Sequence, residues 1–501
     1  MKHRIHINIF FMAALWCTLA GCYKDDSTEA VLRINELKLS DTAAAGRIVI
    51  LFGDTLKLKP TLSQSTGADM SKFKFVWKAY DNSATQSGVV PFDTLGFSLQ
   101  LKAPIKPPFI LGNSYRVTLT ATDTVAGTSA FLSYNITVNN IYGQGWLVLE
   151  DKGGLGDLSF IFPNQTVEHG VYTKVNTTPL VKPRKLELTS FGLTDDISTA
   201  GNRMYILAES GSQEYNYVTM VKKFDLSTVF FTPPSVMNPQ RVTWIGEGSP
   251  GSLYATLGVA INNGLVHSNL VGGFPGVKKW GAATVTPGQS GNLNYNLAPY
   301  IVGGTTYTAV VYDNRGKRFW SVGGTSLVAF PSTASTEFDM NNVGMEMLFM
   351  DSASVVRNYN AVMKGGDGLP YLLRFTTTAN PATLGKVQMN APGILSMKAA
   401  TSATLTPHIY YSGDNVIRKY ETTSNTTTVA YTLPAMEQVT FMKYQKSIPG
   451  GTGSRVLVGT WDGTQGRLYY FPTTLTGDLE AYSHVFTGFG KIIDAAYKVP
   501  Q

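Results

Sequence analysis

The chain has 501 residues, of which 43% are hydrophobic and 15% are charged, and its formal net charge is +7. This composition indicates a globular protein rather than a disordered one, and the length suggests two or more domains. The basic residues form short clusters that are dispersed along the chain. Because nucleic-acid-binding proteins concentrate such residues on one face, the composition argues against a nucleic-acid partner.

The N-terminal residues have the pattern of a secretory signal peptide. Lys2 and Arg4 precede a short apolar run, and small residues then lead into Cys22. The run is shorter than the roughly 20 apolar residues that a permanent membrane span needs, so we expect residues 1–21 to be removed. Cys17, the one other cysteine, would leave with them. This excludes disulfides, thiolate catalysis and cysteine-based metal sites from the mature chain.

The stretch LAGC that ends at Cys22 resembles a bacterial lipobox, in which the cysteine thiol accepts a diacylglycerol. The resemblance implies that Cys22 is a lipid anchor, and several acyl chains on it would hold the protein on a membrane. Lys24, Asp25 and Asp26 resemble the signal that sends lipoproteins of Bacteroidota to the cell surface. A solvated charged spacer is the alternative interpretation. We therefore expect residues 22–30 to tether an outer-membrane lipoprotein that faces the cell exterior.

The next predicted unit, residues 31–140, contains short segments in which apolar and polar residues alternate. Residues 115–123 and 134–138 show this alternation, which is typical of half-buried antiparallel strands. Such strands within about 110 residues suit a β-sandwich, and Trp77 is its predicted core aromatic. The tryptophan strand followed by YRVTLTATD and YNITV resembles a PKD-like, immunoglobulin-type domain. The glycine–aspartate turn that usually follows the tryptophan in PKD domains is replaced here by KAYDN.

Residues 141–501 show a longer repeat. Apolar runs begin about 50 residues apart, and short strands and glycine-rich turns follow each of them, as in radially stacked four-stranded sheets. The repeat predicts a seven-bladed β-propeller-like domain and, with the sandwich, an all-β protein; two β-sandwiches with chance spacing are the alternative. The seven runs begin at Trp146, Met204, Leu253, Phe319, Ala361, Ile409 and Val456.

The order of these features resembles the PKD-like family lipoproteins of Bacteroidota. The resemblance covers the lipobox, INEL at 34–37, the sandwich, GWLVLED at 145–151 and the propeller-like remainder. It implies association with a Sus-type nutrient-uptake system, in which surface lipoproteins work with an outer-membrane transporter. The expected partners are therefore the membrane, that transporter, other surface lipoproteins and a glycan or peptide ligand. The resemblance implies no catalytic residues.

The sequence predicts no catalytic residue, metal ion or cofactor. The histidines beyond the leader are far apart and form no zinc motif, and no Gly-x-Ser-x-Gly nucleophile motif occurs. Two acidic pairs could supply the carboxylates of a glycosidase, but their polar, loop-like surroundings favour solvated turns. These pairs are Asp195 with Asp196 and Glu337 with Asp339.

Aromatic side chains are the best remaining indication of a binding site. Their flat faces could contact sugar rings or peptide side chains, although core packing is the alternative role. The predicted ligand contacts are Trp244, Trp280, Trp320 and Trp461.

Three functions are compatible with these features. A non-enzymatic surface binding protein is the first, a surface glycoside hydrolase or lyase the second, and an adhesion or structural module the third. Two acids and a basic partner converging in one deep pocket would favour the hydrolase, whereas an open face lined with aromatic side chains would favour the binding protein.

Overall fold

The computed structural model describes most of the chain beyond the predicted leader and tether. The described residues are 36–65, 69–82, 91–139, 142–190, 202–245, 257–270, 279–287, 293–303, 309–323, 326–377, 381–446 and 453–499. Cys22, Lys24, Asp25 and Asp26 lie outside these ranges, as do Asp195 and Asp196. Among the described helices, none is long and apolar enough to cross a membrane.

The N-terminal described residues, up to Asn139, form a β-sandwich. Its strands are β1 (Leu37–Ser40), β2 (Arg47–Leu51), β3 (Thr55–Leu58), β4 (Thr61–Gln64), β5 (Phe73–Asp81), β6 (Asp93–Gly96), β7 (Leu101–Pro104), β8 (Ser114–Asp123) and β9 (Ser129–Asn139), with 3-10 helices at Thr42–Ala45 and Met70–Lys72. The larger sheet has the order β2-β9-β8-β5-β6, and β1-β4 and β3-β7 form two smaller sheets. Strand β2 runs parallel to β9, and the other paired strands are antiparallel.

Trp77 lies in the core of this sandwich, as the sequence predicts. It is fully buried, its ring centroid is 5.8 Å from that of Tyr134, and its Nε1 donates a hydrogen bond of 2.7 Å to the carbonyl of Ser98. The smaller sheets contribute Leu56, Leu101 and other apolar residues to the same core. The alternating pattern of the sequence therefore places one face of each strand inside, as antiparallel pleating requires.

The remaining described residues form seven blades that follow one another along the chain. The first contains β10 (Gly145–Lys152), β11 (Leu155–Ile161) and β12 (Val167–Glu168), and the short helix α1 (Val171–Val175) follows it. The second contains β13 (Leu180–Ser190), β14 (Asn202–Ser210), β15 (Gln213–Tyr215) and β16 (Lys222–Asp225), and the third contains β17 (Pro239–Ile245), β18 (Leu257–Asn262) and β19 (Leu265–Leu270). The fourth contains β20 (Val302–Gly303), β21 (Ala309–Asp313), β22 (Arg318–Val322) and β23 (Leu327–Val328). Two residue pairs between β11 and β13 join the first two blades into one eight-stranded sheet.

The last three sheets repeat the four-stranded pattern. They contain β24 (Glu346–Ser352), β25 (Asn358–Lys364), β26 (Pro370–Thr376) and β27 (Ala382–Gln388); β28 (Ala399–Ser402), β29 (His408–Ser412), β30 (Val416–Glu421) and β31 (Thr426–Thr432); and β32 (Gln438–Gln445), β33 (Ser454–Trp461), β34 (Gly466–Thr473) and β35 (His484–Phe489). Short 3-10 helices lie at Leu226–Val229, Ser332–Ala334 and Ile394–Ser396. The last strand, β36 (Lys491–Lys498), returns to the first sheet and pairs with β10. The C-terminal strand thus completes the first blade.

Hydrophobic clusters between neighbouring blades confirm the predicted seven-bladed arrangement. Each of the seven seams has its own cluster, including the seam between the seventh blade and the first. Alternate residues of one strand pack into different seams: Leu147 of β10 faces the second blade, whereas Val148 faces the seventh. This is the two-residue period of a strand that is buried on both faces.

The apolar runs of the sequence coincide mainly with the strand next to the innermost one. Trp146, Met204, Ala361, Ile409 and Val456 lie in such strands, whereas Phe319 lies one strand further out and Leu253 is outside the described residues. These strands carry the strongest signal because each is covered by a blade on both sides. The innermost strands mix apolar and polar residues and give a weaker signal.

Candidate functional site

A cavity of about 680 Å³ lies where the innermost strands of the blades meet. These strands are β13, β17, β20, β24, β28, β32 and β36. Because each comes from a different blade, the cavity forms only when the ring of blades is complete. We call it the central cavity. Its ionisable lining residues are Arg184, Lys185, Arg241, Asp351, Lys398, Lys443 and Asp494, and its aromatic lining residues are Trp244, Tyr300, Phe349, Tyr359 and Phe441.

Short polar side chains join neighbouring innermost strands around this cavity. Apart from the short pairing of β13 with β11, one edge of each innermost strand has no ladder partner among the described residues, so its N–H groups need other acceptors. In four places a side-chain oxygen of one innermost strand accepts an N–H of the next. The pairs are Thr189 with Trp244 N at 3.0 Å, Asp351 with Ser402 N at 3.1 Å, Thr401 with Tyr444 N at 3.0 Å and Asp494 with Leu186 N at 3.1 Å.

Two ion pairs lie in the wall of the central cavity. Lys185 Nζ is 2.9 Å from Asp494 Oδ2, and Arg241 Nη1 is 2.9 Å from Glu187 Oε1. Burial raises the pKa of Asp494, but Lys185 and Lys443 outweigh burial, and the pKa lies below its ordinary value. Burial raises the pKa of Glu187 despite the neighbouring cations. The two carboxyl groups therefore differ in how readily they hold a proton.

Asp351 and Lys443 are the other two ionisable groups deep in this wall. Asp351 accepts N–H bonds from Ser352 at 2.8 Å and Ser402 at 3.1 Å, yet burial raises its pKa. Lys443 Nζ donates to the carbonyl of Ala495 at 2.9 Å. Burial lowers the pKa of Lys443, although Asp494 opposes that shift. The wall therefore contains two ion pairs and, in addition, Asp351 and Lys443, whose charged forms are disfavoured by burial.

The structure brings two of the four predicted tryptophans to cavities. Trp244 lines the central cavity, although only 6% of its surface is exposed. Trp461, which is half-buried, lines a second cavity of about 480 Å³ with Asp151, Lys152 and Lys491. Trp280 and Trp320 are 1% and 7% exposed and lie in clusters between blades. They contribute apolar area to those seams.

Next to the second cavity, a serine, a histidine and a glutamate lie close together, a group that sequence reasoning missed. Ser159 Oγ donates to Glu150 Oε1 at 2.6 Å and lies 2.8 Å from His169 Nδ1. In a nucleophilic triad the acid orients the histidine, whereas here the acid binds the serine itself. Ser159 is fully buried, and Glu150 also binds Lys152. The cluster therefore ties β10 to β11.

The other acidic residues and histidines considered in the sequence analysis do not form a common site in the described part of the chain. Glu337 and Asp339 are exposed, and Asp339 accepts the Asn341 N–H at 2.8 Å as a turn residue does. His267 and His408 are buried singly, and burial lowers the pKa of each. In the part of the chain that the structure describes, no group of three or more His, Cys, Asp or Glu could hold a metal ion.

The fold and the central cavity define an all-β protein with an N-terminal sandwich and a seven-bladed propeller. Residues 22–183 match the model of the PKD-like family. Comparison with curated protein sequences gives no match. One similar solved structure is a quinonprotein alcohol dehydrogenase-like protein from Bacteroides thetaiotaomicron, with 10% identity, a TM-score of 0.44 and coverage of 90% of this chain and 96% of that chain. Another is a periplasmic gluconolactonase from Pseudomonas aeruginosa, with 11% identity, a TM-score of 0.42 and coverage of 72% and 99%.

Proposed function

We propose that this protein is a surface lipoprotein that binds a glycan or peptide in its central cavity as a non-enzymatic component of a Sus-type outer-membrane uptake system. The cavity has the volume of a small-ligand site and combines aromatic side chains with a few convergent polar groups. The anchoring part of the proposal is supported by the LAGC stretch and the charged residues that follow it.

The observation that carries the binding role is that the carboxylates of the cavity wall already have structural partners. Asp494 pairs with Lys185 and accepts the N–H of Leu186. Asp351 accepts two backbone N–H groups, and Glu187 pairs with Arg241. Groups that hold neighbouring strands together are restricted in movement. They suit the shaping of a binding cavity better than repeated proton transfer or nucleophilic attack.

A surface glycoside hydrolase or lyase is the second candidate, and one observation favours it. The central cavity brings acids and cations together, which is the convergence that would indicate an enzyme. Burial raises the pKa of Glu187 and of Asp351, as it does for general acids in glycosidases. Of these two, Asp351 lines the cavity, and its carboxyl group could then donate a proton to a leaving oxygen.

Retention without turnover is the expected behaviour of purified residues 22–501 incubated with glycan and peptide libraries. Affinity for a retained ligand should be on the order of micromolar, about −8 kcal/mol. Mass spectrometry of the bound and released fractions would measure retention and product together. As controls, Glu187→Gln and Asp351→Asn should not change the product yield. Product that forms with the native chain and is lost in either variant would establish the hydrolase or lyase instead.

Replacing Cys22 with Ala should abolish acylation and release the protein from the membrane, because the thiol is the proposed site of the lipid. Metabolic labelling with a fatty acid, followed by fractionation, would measure both effects. The matched control replaces Lys24, Asp25 and Asp26 with Ala. This control should retain the label but lose accessibility to external protease on intact cells. Label in the Cys22→Ala protein would contradict the anchor, and unchanged protease accessibility of the control would reduce the three residues to a spacer.

A further inference from the structure

We infer that the central cavity selects ligands that carry a carboxylate group. The inference rests on the proposed binding function and adds the chemical class of the ligand. It depends on the excess of cationic groups in the wall and on the donors that the protein itself leaves unused.

The cavity lining contains more cations than anions. Five cationic side chains and two carboxylates line it, and Glu187 behind Arg241 supplies one further carboxylate. Lys185 is matched by Asp494, and Arg241 is matched by Glu187. Arg184 lies 3.6 Å from Glu209 and also binds Asn238. Lys398 and Lys443 make no ion pair within 4 Å among the described residues.

Several hydrogen-bond donors of these cations remain free for a ligand. Lys443 uses Nζ for a bond to Ala495, which leaves further ammonium hydrogens available. Lys398 is exposed and immediately precedes β28, so it lies at one mouth of the cavity. An anion in the cavity would meet donors both in the wall and at that mouth.

The electrostatics of the wall also favour an added negative charge. Burial is the main cause that lowers the pKa of Lys443; attraction by Asp494 opposes the shift, and repulsion by Lys185 and Arg241 adds to it. The side chains of Lys185 and Arg241 are 29% and 27% exposed, so solvent and small solutes can reach them. A carboxylate beside Lys443 would supply the counter-ion that this lysine does not have among the described residues and would accept charge-assisted hydrogen bonds from it.

Carboxylates reach such a site from two sources that share one chemistry, uronic acids in glycans and acidic side chains in peptides. Tyr300, the aromatic lining residue that is only half-buried, provides apolar contact for either backbone. In a glycan the carboxylate takes the place of a neutral hydroxymethyl group, and in a peptide it takes the place of a neutral carboxamide group. Matched charged and neutral ligands therefore test the inference directly.

The experiment measures the affinity of purified residues 22–501 by calorimetry for two matched pairs of ligands. One pair is a galacturonate trisaccharide and the neutral galactose trisaccharide, and the other is triglutamate and triglutamine. At least one charged ligand should bind about tenfold or more tightly than its neutral partner. Raising the ionic strength from about 0.05 to about 0.5 M should reduce that preference.

Variants that remove one positive charge each test which lysines bind the carboxylate. Lys443→Met should weaken binding of the charged ligand about tenfold, and Lys398→Ala about threefold, because the exposed lysine is more strongly solvated. Lys364→Ala is the matched control, since Lys364 is exposed in β25 and does not line the cavity. Lys398→Ala keeps the test valid even if Lys443→Met fails to fold, because no hydrogen bond or ion pair joins the Lys398 side chain to a described residue.

The outcomes separate this inference from the proposed function. Equal affinity for charged and neutral ligands, or no measurable binding of either charged ligand, would overturn the carboxylate preference. Equal affinity would still leave a non-enzymatic binding protein. Cleavage of the bound trisaccharide would contradict the non-enzymatic function but not a measured preference for the charged ligand.

Discussion

Deletion of residues 491–501 should abolish the folded propeller, because it removes the strand that joins the end of the chain to the first blade. Strand β36 pairs with β10 from Gly145 to Asp151, and it contributes Ile492 to the seam between the seventh and first blades. Loss of one buried side chain of that size costs about 2–5 kcal/mol. The lost ladder adds to that cost, and a domain has only about 5–15 kcal/mol of stability in total. Near-ultraviolet circular dichroism and limited proteolysis would measure the loss.

The matched control for this deletion removes residues 500 and 501 alone and should melt as the full chain does. The sandwich should survive the larger deletion, because Trp77 and its neighbours form a separate hydrophobic cluster. A protease-resistant fragment containing Trp77 is therefore expected. A deletion variant whose propeller still melts cooperatively, within a few degrees of the full chain, would show that β36 does not close the ring.

Asp494→Ala should lower the free energy of unfolding of the propeller by about 2–3 kcal/mol, less than for a fully buried ion pair because solvent can reach the Lys185 side chain. The substitution leaves Lys185 without its counter-ion and deprives the Leu186 N–H of its acceptor. Since the pKa of Asp494 lies below its ordinary value of 3.8, this contribution is complete near neutral pH. It is lost as the pH falls below 3.8 through the folded-state pKa. Urea unfolding of both proteins at several pH values would measure the difference.

Two further variants identify the cause of this effect. Lys182→Ala breaks an exposed pair with Glu209 and should cost less than about 1 kcal/mol. The double variant Lys185→Met, Asp494→Leu replaces the pair with apolar groups and should recover part of the lost stability, since the Leu186 N–H still lacks its acceptor. If Asp494→Ala costs no more than Lys182→Ala, or if the double variant recovers nothing, the ion pair is not what stabilises this seam.

Local pattern determined the class of fold. Alternation with a period of two residues predicts half-buried strands, and the structure confirms it at Tyr115 and Val117, whose side chains are buried on one face of β8. Apolar runs about 50 residues apart predicted the blades, because a strand covered on both sides must be apolar on both faces. The proposed anchor at Cys22 also depends on sequence alone, since it lies outside the described residues.

Only the tertiary structure decided which residues form the candidate site. Lys185, Arg241, Asp351, Lys443 and Asp494 come from five different innermost strands, and no local spacing connects them. The same holds for the tryptophans, because burial depends on which seam a residue faces. Trp461 lines a cavity, whereas Trp280 packs between blades. Neighbouring residues determine where a strand forms and which faces it buries. The central cavity, in contrast, is lined by residues that are distant in sequence and meet only after the last strand has paired with the first blade.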